Sequence, residues 1–197
     1  MRELINMVVV LTGISLASGG LLASLRESTQ ERIDQQVLEF VKGPSVRSVF
    51  KDATNDPIAT RFQLKDGEAV RTFFVGEIEG ALRGVALEAV GKGYKGEIGL
   101  VVAIDTQTGK VIGIEVTTHS ETPGLGAKAK TDPAFAAQFK GAPVSGPAKV
   151  TKDGGSINAI SGATITSRAV AGGVSNAFTV YERLKPQIEQ KLKEIRK

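Results

Sequence analysis

The sequence predicts an α+β protein, in which a single N-terminal apolar helix precedes one compact domain with a mainly antiparallel sheet and flanking helices. Three observations predict it. Residues 4–25 form a run of 22 residues without a charge, bounded by Glu3 and Arg26. Several short strand-like runs follow, two of them joined by turn chemistry. A long segment near the C-terminus carries apolar residues at helical spacing, and strands and helices do not alternate regularly as a doubly wound sheet requires.

At 1.5 Å per residue, a helix over residues 4–25 is roughly 30 Å long, the thickness of a bilayer's hydrocarbon core. It is read as a transmembrane anchor, with residues 1–25 as the first unit. A cleaved signal peptide is the weaker reading, because only Arg2 and Glu3 precede the run and no A-x-A site follows it. Gly13, Gly19, Gly20, Ser15, Ser18 and Ser24 give the helix small faces of the kind that favour close helix packing in membranes. Flanking charges are too few to orient it.

Residues 26–43 are expected to continue as an amphipathic linker helix, with Ile33, Val37, Leu38 and Val41 on one face and Gly43-Pro44 as its stop. Residues 44–197 then form the domain. Strands are expected at 60–64, 70–75, 84–90, 99–104 and 110–116. The last two flank Asp105-Thr106-Gln107-Thr108-Gly109, whose composition predicts an antiparallel hairpin. A polar loop over 119–126 follows. Thr131-Asp132-Pro133 reads as a cap and first-turn proline opening a short helix to about Lys140, and a brief strand is expected at 149–151. From Ser167, the positions Val170, Val174, Phe178 and Tyr181 predict a helix, and Pro186 divides it from a second helical segment that runs to the C-terminus.

Composition excludes several classes of function. The net charge is only +4, from 25 basic and 21 acidic residues of interspersed sign, with 5% aromatics and no Trp, which is not the footprint of a nucleic-acid binder. With no Cys there are no disulfides, iron–sulfur clusters, thiolate zinc sites or Cys-linked flavins. The single histidine, His119, removes most metal sites. A serine hydrolase built on Ser161 or Ser167 lacks the G-x-S-x-G elbow and would have His119 as its sole base.

The informative segment is INAISGATITSRAV. Gly162 and Ala163 are small enough for a ligand to approach the backbone, and Thr164 and Thr166 present hydroxyls just before a helix start, where free N–H groups favour a phosphate. Read from the residues alone, Ser161, Thr164, Thr166 and Ser167 are caps of the following helix, a far commoner role for such residues than a cofactor site.

Ser161-Gly162-Ala163-Thr164-Ile165-Thr166-Ser167 resembles the flavinylation motif [ST]-G-A-T-x-[ST] of the FMN-binding domain family. That family is found in the G subunit of the Rnf electron-transport complex and in the C subunit of the sodium-pumping NADH:quinone reductase. The loop His119-Ser120-Glu121-Thr122-Pro123-Gly124-Leu125-Gly126 is similar to the family's ETPGLG, and the order of features matches over nearly the whole chain. The resemblance implies an FMN attached covalently through its phosphate to Thr164, with Thr166 as the second candidate. It implies that Ser161, Gly162 and Ala163 are recognised by a flavin transferase and pack at the phosphate. Glu121, Thr122, Leu125 and Gly126 are then expected to line the flavin pocket, with His119 ordering the loop and no residue needed as a catalytic acid or base.

The match to Gly124, Gly126 and Ala129 of a G-x-G-x-x-A dinucleotide fingerprint is rejected, because no strand ends at the first glycine. Asn158 stands where the motif usually carries an acidic residue. By the same resemblance, the chain is an electron-transfer subunit of a membrane redox complex coupling ferredoxin:NAD oxidoreduction to sodium or proton translocation. Other membrane subunits are its partners, and its FMN domain lies on the extracytoplasmic side of the cytoplasmic (inner) membrane. A C-type quinone-reductase subunit, another tethered flavoprotein and a non-redox binding module are the alternatives.

Overall fold

The computed structural model describes residues 1–196, apart from the side chains of residues 31 and 34. Lys197, the end of the expected C-terminal segment, lies outside the described residues. The chain divides into two compact units, Met1–Val41 and Lys42–Lys197.

In the first unit, helix α1 spans Arg2–Gln36, and its part Arg2–Gln30 is long and apolar enough to cross a membrane. A π-helical turn, Val37–Lys42, follows it. Gly43-Pro44 does not stop the helical run. Helix α2 spans Gly43–Val49 with Pro44 in its first turn, where a missing N–H costs no intrahelical bond.

The second unit is built on an antiparallel meander of five strands in the order β1-β2-β3-β4-β5. These are β1 Arg61–Asp66, β2 Ala69–Ile78, β3 Ala81–Lys92, β4 Glu97–Asp105 and β5 Lys110–Thr118. All five expected strands are present, each extended by one or more residues. The β4–β5 hairpin turns where its composition predicts: Asp105 Oδ1 accepts the N–H groups of Gln107 and Thr108, and Gly109 closes the turn at φ 63°.

Alternate residues of the central strands enter different layers. Phe73, Val75, Val85, Leu87, Leu100, Val102 and Ile104 join the main apolar cluster with the C-terminal helix. Phe74, Ala86, Val101 and Ala103 are equally buried outside that cluster, and α2 packs on β4 and β5. A sheet covered on both faces reads as continuous apolar sequence, as β4 does. On this second face Gly76 and Gly84 make room for the ring of Phe50: a Cβ at either would come within 2.7 and 2.6 Å of it.

After β5 come two short helices, α3 Lys128–Thr131 and α4 Pro133–Ala137. The latter opens as expected, with the Asp132 side chain accepting the Ala134 N–H at 3.0 Å. In place of the strand expected at 149–151 there is a single bridge, Val150 to Ile157, followed by a 3-10 turn, Thr151–Asp153.

Helix α5, Thr164–Ile195, corrects the sequence reading twice. It starts three residues before Ser167, since the Ser167 N–H already bonds the Ala163 carbonyl at 3.0 Å. It is also one continuous helix through Pro186. That proline lies on the exposed side, where water can serve the Glu182 carbonyl it leaves unpaired, while Tyr181, Leu184, Ile188 and Leu192 carry the buried stripe past it.

Candidate functional site

Four segments meet at the start of α5: the β3–β4 turn around Tyr94, the loop from His119 to Gly126, the 3-10 turn around Lys152, and the motif itself. They enclose a cavity of about 570 Å3 lined by Glu121, Thr122, Leu125 and Gly126, by Gly162 to Thr166, and by Tyr94 and Lys152. This is within the range of small-molecule and cofactor pockets.

Four hydroxyls of the motif have separate fates. Ser167, fully buried, donates to the Ala163 carbonyl at 3.0 Å and accepts the Ile160 N–H at 2.9 Å, so it braces the turn. Thr166, 2% exposed, donates to Glu121 Oε2 at 2.5 Å. Ser161 is exposed and does not line the cavity. Thr164 is half-buried on the cavity wall, and its hydroxyl enters no hydrogen bond among the described residues.

None of the four caps the helix. The N-cap is Ala163, which has no side-chain oxygen, so the first-turn N–H groups of a 32-residue helix remain available beside Thr164. Capping, the competing explanation of these residues, is therefore absent. The approach is kept open by Gly162 at φ 76°, a left-handed conformation natural to glycine, where an added Cβ would also lie 3.1 Å from Leu125.

Glu121 ties its own loop to the Tyr94 turn and to the motif. It is 6% exposed, and its Oε1 accepts the Lys95 N–H at 2.9 Å while Oε2 takes the Thr166 hydroxyl. Burial pushes its pKa up. The hydrogen bonds from Thr166 and from the Lys95 and Tyr94 backbones outweigh that and hold it below its ordinary 4.5. Gly126 makes space for this knot, since a Cβ there would stand 2.6 Å from Glu121 Oε2 and 2.7 Å from Thr166 Oγ1. His119 accepts the Glu121 N–H on Nδ1 at 3.3 Å, an ordering contact as expected.

A carboxylate with a depressed folded pKa contributes its stability above its unfolded value and loses it as pH falls through the folded value. Asp66 and Asp153 are also depressed, Asp153 chiefly by its hydrogen bond to Arg168. Glu121 is therefore isolated by comparison with Glu121→Gln. The melting temperature of the wild type should exceed that of the variant at neutral pH, and the gap should close as pH drops below the ordinary carboxylate range. A gap independent of pH would show that the charge of Glu121 contributes nothing.

Tyr94, Lys152 and Ile165 line the cavity beyond the residues expected there. Lys152 sits in the 3-10 turn beside Asp153, which Arg168 grips through two hydrogen bonds of 2.7 Å. Only the fold brings that turn to the cavity. Asn158 has an exposed side chain, and Gln138 holds its backbone N–H at 2.7 Å and its carbonyl at 3.2 Å. Gly124, Gly126 and Ala129 follow a strand that ends at Thr118 in an all-antiparallel sheet, so the dinucleotide reading has no βαβ unit to stand on.

Residues 93–179 match the model of the FMN-binding domain family. Over 177 residues the chain is 33% identical to the G subunit of the ion-translocating oxidoreductase complex of Methanosarcina acetivorans, covering 89% of this chain and 93% of that one. The chain belongs to the family of G subunits of ion-translocating oxidoreductase complexes. The corresponding protein of Cereibacter sphaeroides is 36% identical over 185 residues, covering 88% of this chain and 82% of that one. The crystal structure of Shewanella oneidensis NqrC is similar at TM-score 0.49 and 26% identity, over 69% of this chain and 73% of that one.

The family is thus one of redox-complex subunits with an FMN-binding domain, and the cavity fits that cofactor. Uncapped helix N–H groups, Gly162 and Lys152 suit a phosphate. Tyr94, Leu125 and Ile165, respectively 68%, 46% and 49% exposed, offer apolar surface to a planar ring.

Proposed function

We propose that the chain is the electron-transfer subunit of a membrane-bound, ion-translocating oxidoreductase complex of the Rnf type and carries FMN as a phosphoester on Thr164. The observation that carries this reading is the Thr164 hydroxyl, unengaged on the cavity wall at the first position of an uncapped helix. Thr166 is the weaker attachment point, because its hydroxyl is committed to Glu121 and buried.

When bound, FMN supplies one- and two-electron chemistry. The chain's own residues hold and shield it. Thr164 Oγ provides the tether, and the first-turn N–H groups with Lys152 offset the phosphate charge. Gly162 and Gly126 admit the ligand, while Leu125 and Ile165 keep water from the ring. No proton transfer by a side chain is required of this site.

Residues 1–25 are the transmembrane anchor in this reading, residues 26–43 the link, and residues 44–197 the FMN domain on the extracytoplasmic side of the cytoplasmic membrane. Its partners are the other membrane subunits, and a flavin transferase that reads the motif from the exposed Ser161 side matures it. Coupling would run between ferredoxin:NAD oxidoreduction and sodium or proton movement.

The test is flavin fluorescence of the denatured full chain on a gel. A fluorescent band is expected from cells that possess the transferase. A dark band from those cells would contradict the proposal and return the molecule to an anchored binding module.

A further inference from the structure

Tyr94 is an anomaly in this domain. The chain has two tyrosines and no Trp. Tyr181 is 1% exposed in the core, whereas Tyr94 is 68% exposed in a turn between strands, yet borders the cavity at Thr164. None of the eight phenylalanines borders it, so Tyr94 is the cavity's sole aromatic side chain among the described residues.

The turn that carries it is held firmly. Gly93 donates to the Gly96 carbonyl at 2.8 Å, and the Lys95 N–H to the buried carboxylate of Glu121 at 2.9 Å. Gly93 fits against that carboxylate so closely that a Cβ would lie 2.6 Å from Oε1. An aromatic ring left uncovered on a braced backbone, lining the same cavity as Leu125 and Ile165, is a binding surface that no described residue covers.

We infer that Tyr94 is the aromatic residue that stacks on the flavin ring, and that Glu121 is the positioning residue that holds the Tyr94 turn over the cavity. The inference rests on the assignment of FMN to Thr164 and adds where the ring lies: toward the β3–β4 turn, away from the solvent side of α5.

Photophysics separates this from a structural role. Tyrosine in contact with an excited flavin quenches its emission, because the phenol lends an electron and recovers it with no net oxidation. Phenylalanine stacks without doing so. With no Trp in the chain and Tyr181 sealed in the core, Tyr94 is the quencher available at the cavity.

The experiment uses the full, flavinylated chain in detergent and compares wild type, Tyr94→Phe and Tyr94→Ala by flavin emission yield and visible circular dichroism. Covalent loading is verified in each by the mass of the fragment 153–168. Both variants should emit several-fold more strongly than wild type. The visible dichroism should persist in Tyr94→Phe and fall in Tyr94→Ala. Tyr94→Phe keeps the ring's bulk, so brightening with the visible dichroism retained separates loss of the quencher from misfolding. If Tyr94→Phe is fully loaded and as dim as wild type, Tyr94 is not in contact with the ring and the inference is overturned. A wild-type chain without covalent flavin would instead overturn the assignment to Thr164.

Discussion

Thr164→Ala should abolish covalent flavin, giving a dark band where the wild type fluoresces, while the far-ultraviolet dichroism of the domain is unchanged. The first half follows from the loss of the tethering oxygen. The second follows from what that oxygen does in the fold: it enters no described hydrogen bond, and Thr164 is half-buried at the first position of α5. Alanine is also the better helix former, so the stability change should be only about 0.5 kcal/mol. Thr166→Val is the informative companion. It breaks the bond to Glu121 but should keep the covalent flavin, although in a less stable site. Retention of flavin in Thr164→Ala with its loss in Thr166→Val would transfer the attachment to Thr166.

The second large effect is on the fold that supports the site. Gly91→Ala should destabilise the domain by about 3 kcal/mol or more, as overpacking of backbone against backbone does. A Cβ at Gly91 would collide with the Ala169 carbonyl, which forces β3 and α5 apart. From the other side of the same contact, a Cβ on Gly173 would come 2.5 Å from Leu100 and 3.2 Å from the Gly91 nitrogen. Ala169 lies about 1.4 turns along the helix from Thr164, so separating the helix from the sheet also displaces the proposed attachment residue. At about 2–4 °C per kcal/mol for a domain of this size, the melting temperature should drop by roughly 10 °C. Gly172→Ala is the control: its Cβ meets nothing within 4 Å, and an exposed helix glycine replaced by alanine should stabilise by about 0.5–1 kcal/mol. Equal melting temperatures for Gly91→Ala and wild type would show that the close approach of α5 to β3 does not support this domain.

Much of this architecture is legible in the residues because the relevant signals are local. Asp105 to Gly109 is a turn by its own hydrogen bonds, Asp132-Pro133 opens a helix by its own cap, and the strand runs announce themselves by apolar content. The errors have local causes too. Proline stops a helix only where the lost bond is needed: Pro44 sits in a first turn, and Pro186 faces water on an otherwise amphipathic helix. The strand expected at 149–151 has no neighbour beyond one bridge to Ile157, and no sheet grows from a single bridge.

At the site, Thr164, Gly162 and the loop from Glu121 to Gly126 are readable by resemblance, and the cavity unites them. Tyr94 and Lys152 are not readable. Their neighbours in sequence carry no motif, and only the Glu121 hydrogen bond to Lys95 and the Arg168 grip on Asp153 place their turns beside the cavity. Ser161, expected at the phosphate, is exposed and does not line the cavity.

Mass mapping of the fragment 153–168 from the full chain, purified from cells that possess a flavin transferase, decides whether Thr164 carries FMN. The peptide is expected to be heavier by one FMN less one water, with fragmentation placing the added mass on Thr164. An unmodified peptide from those cells, or the mass on any other residue, would contradict that assignment.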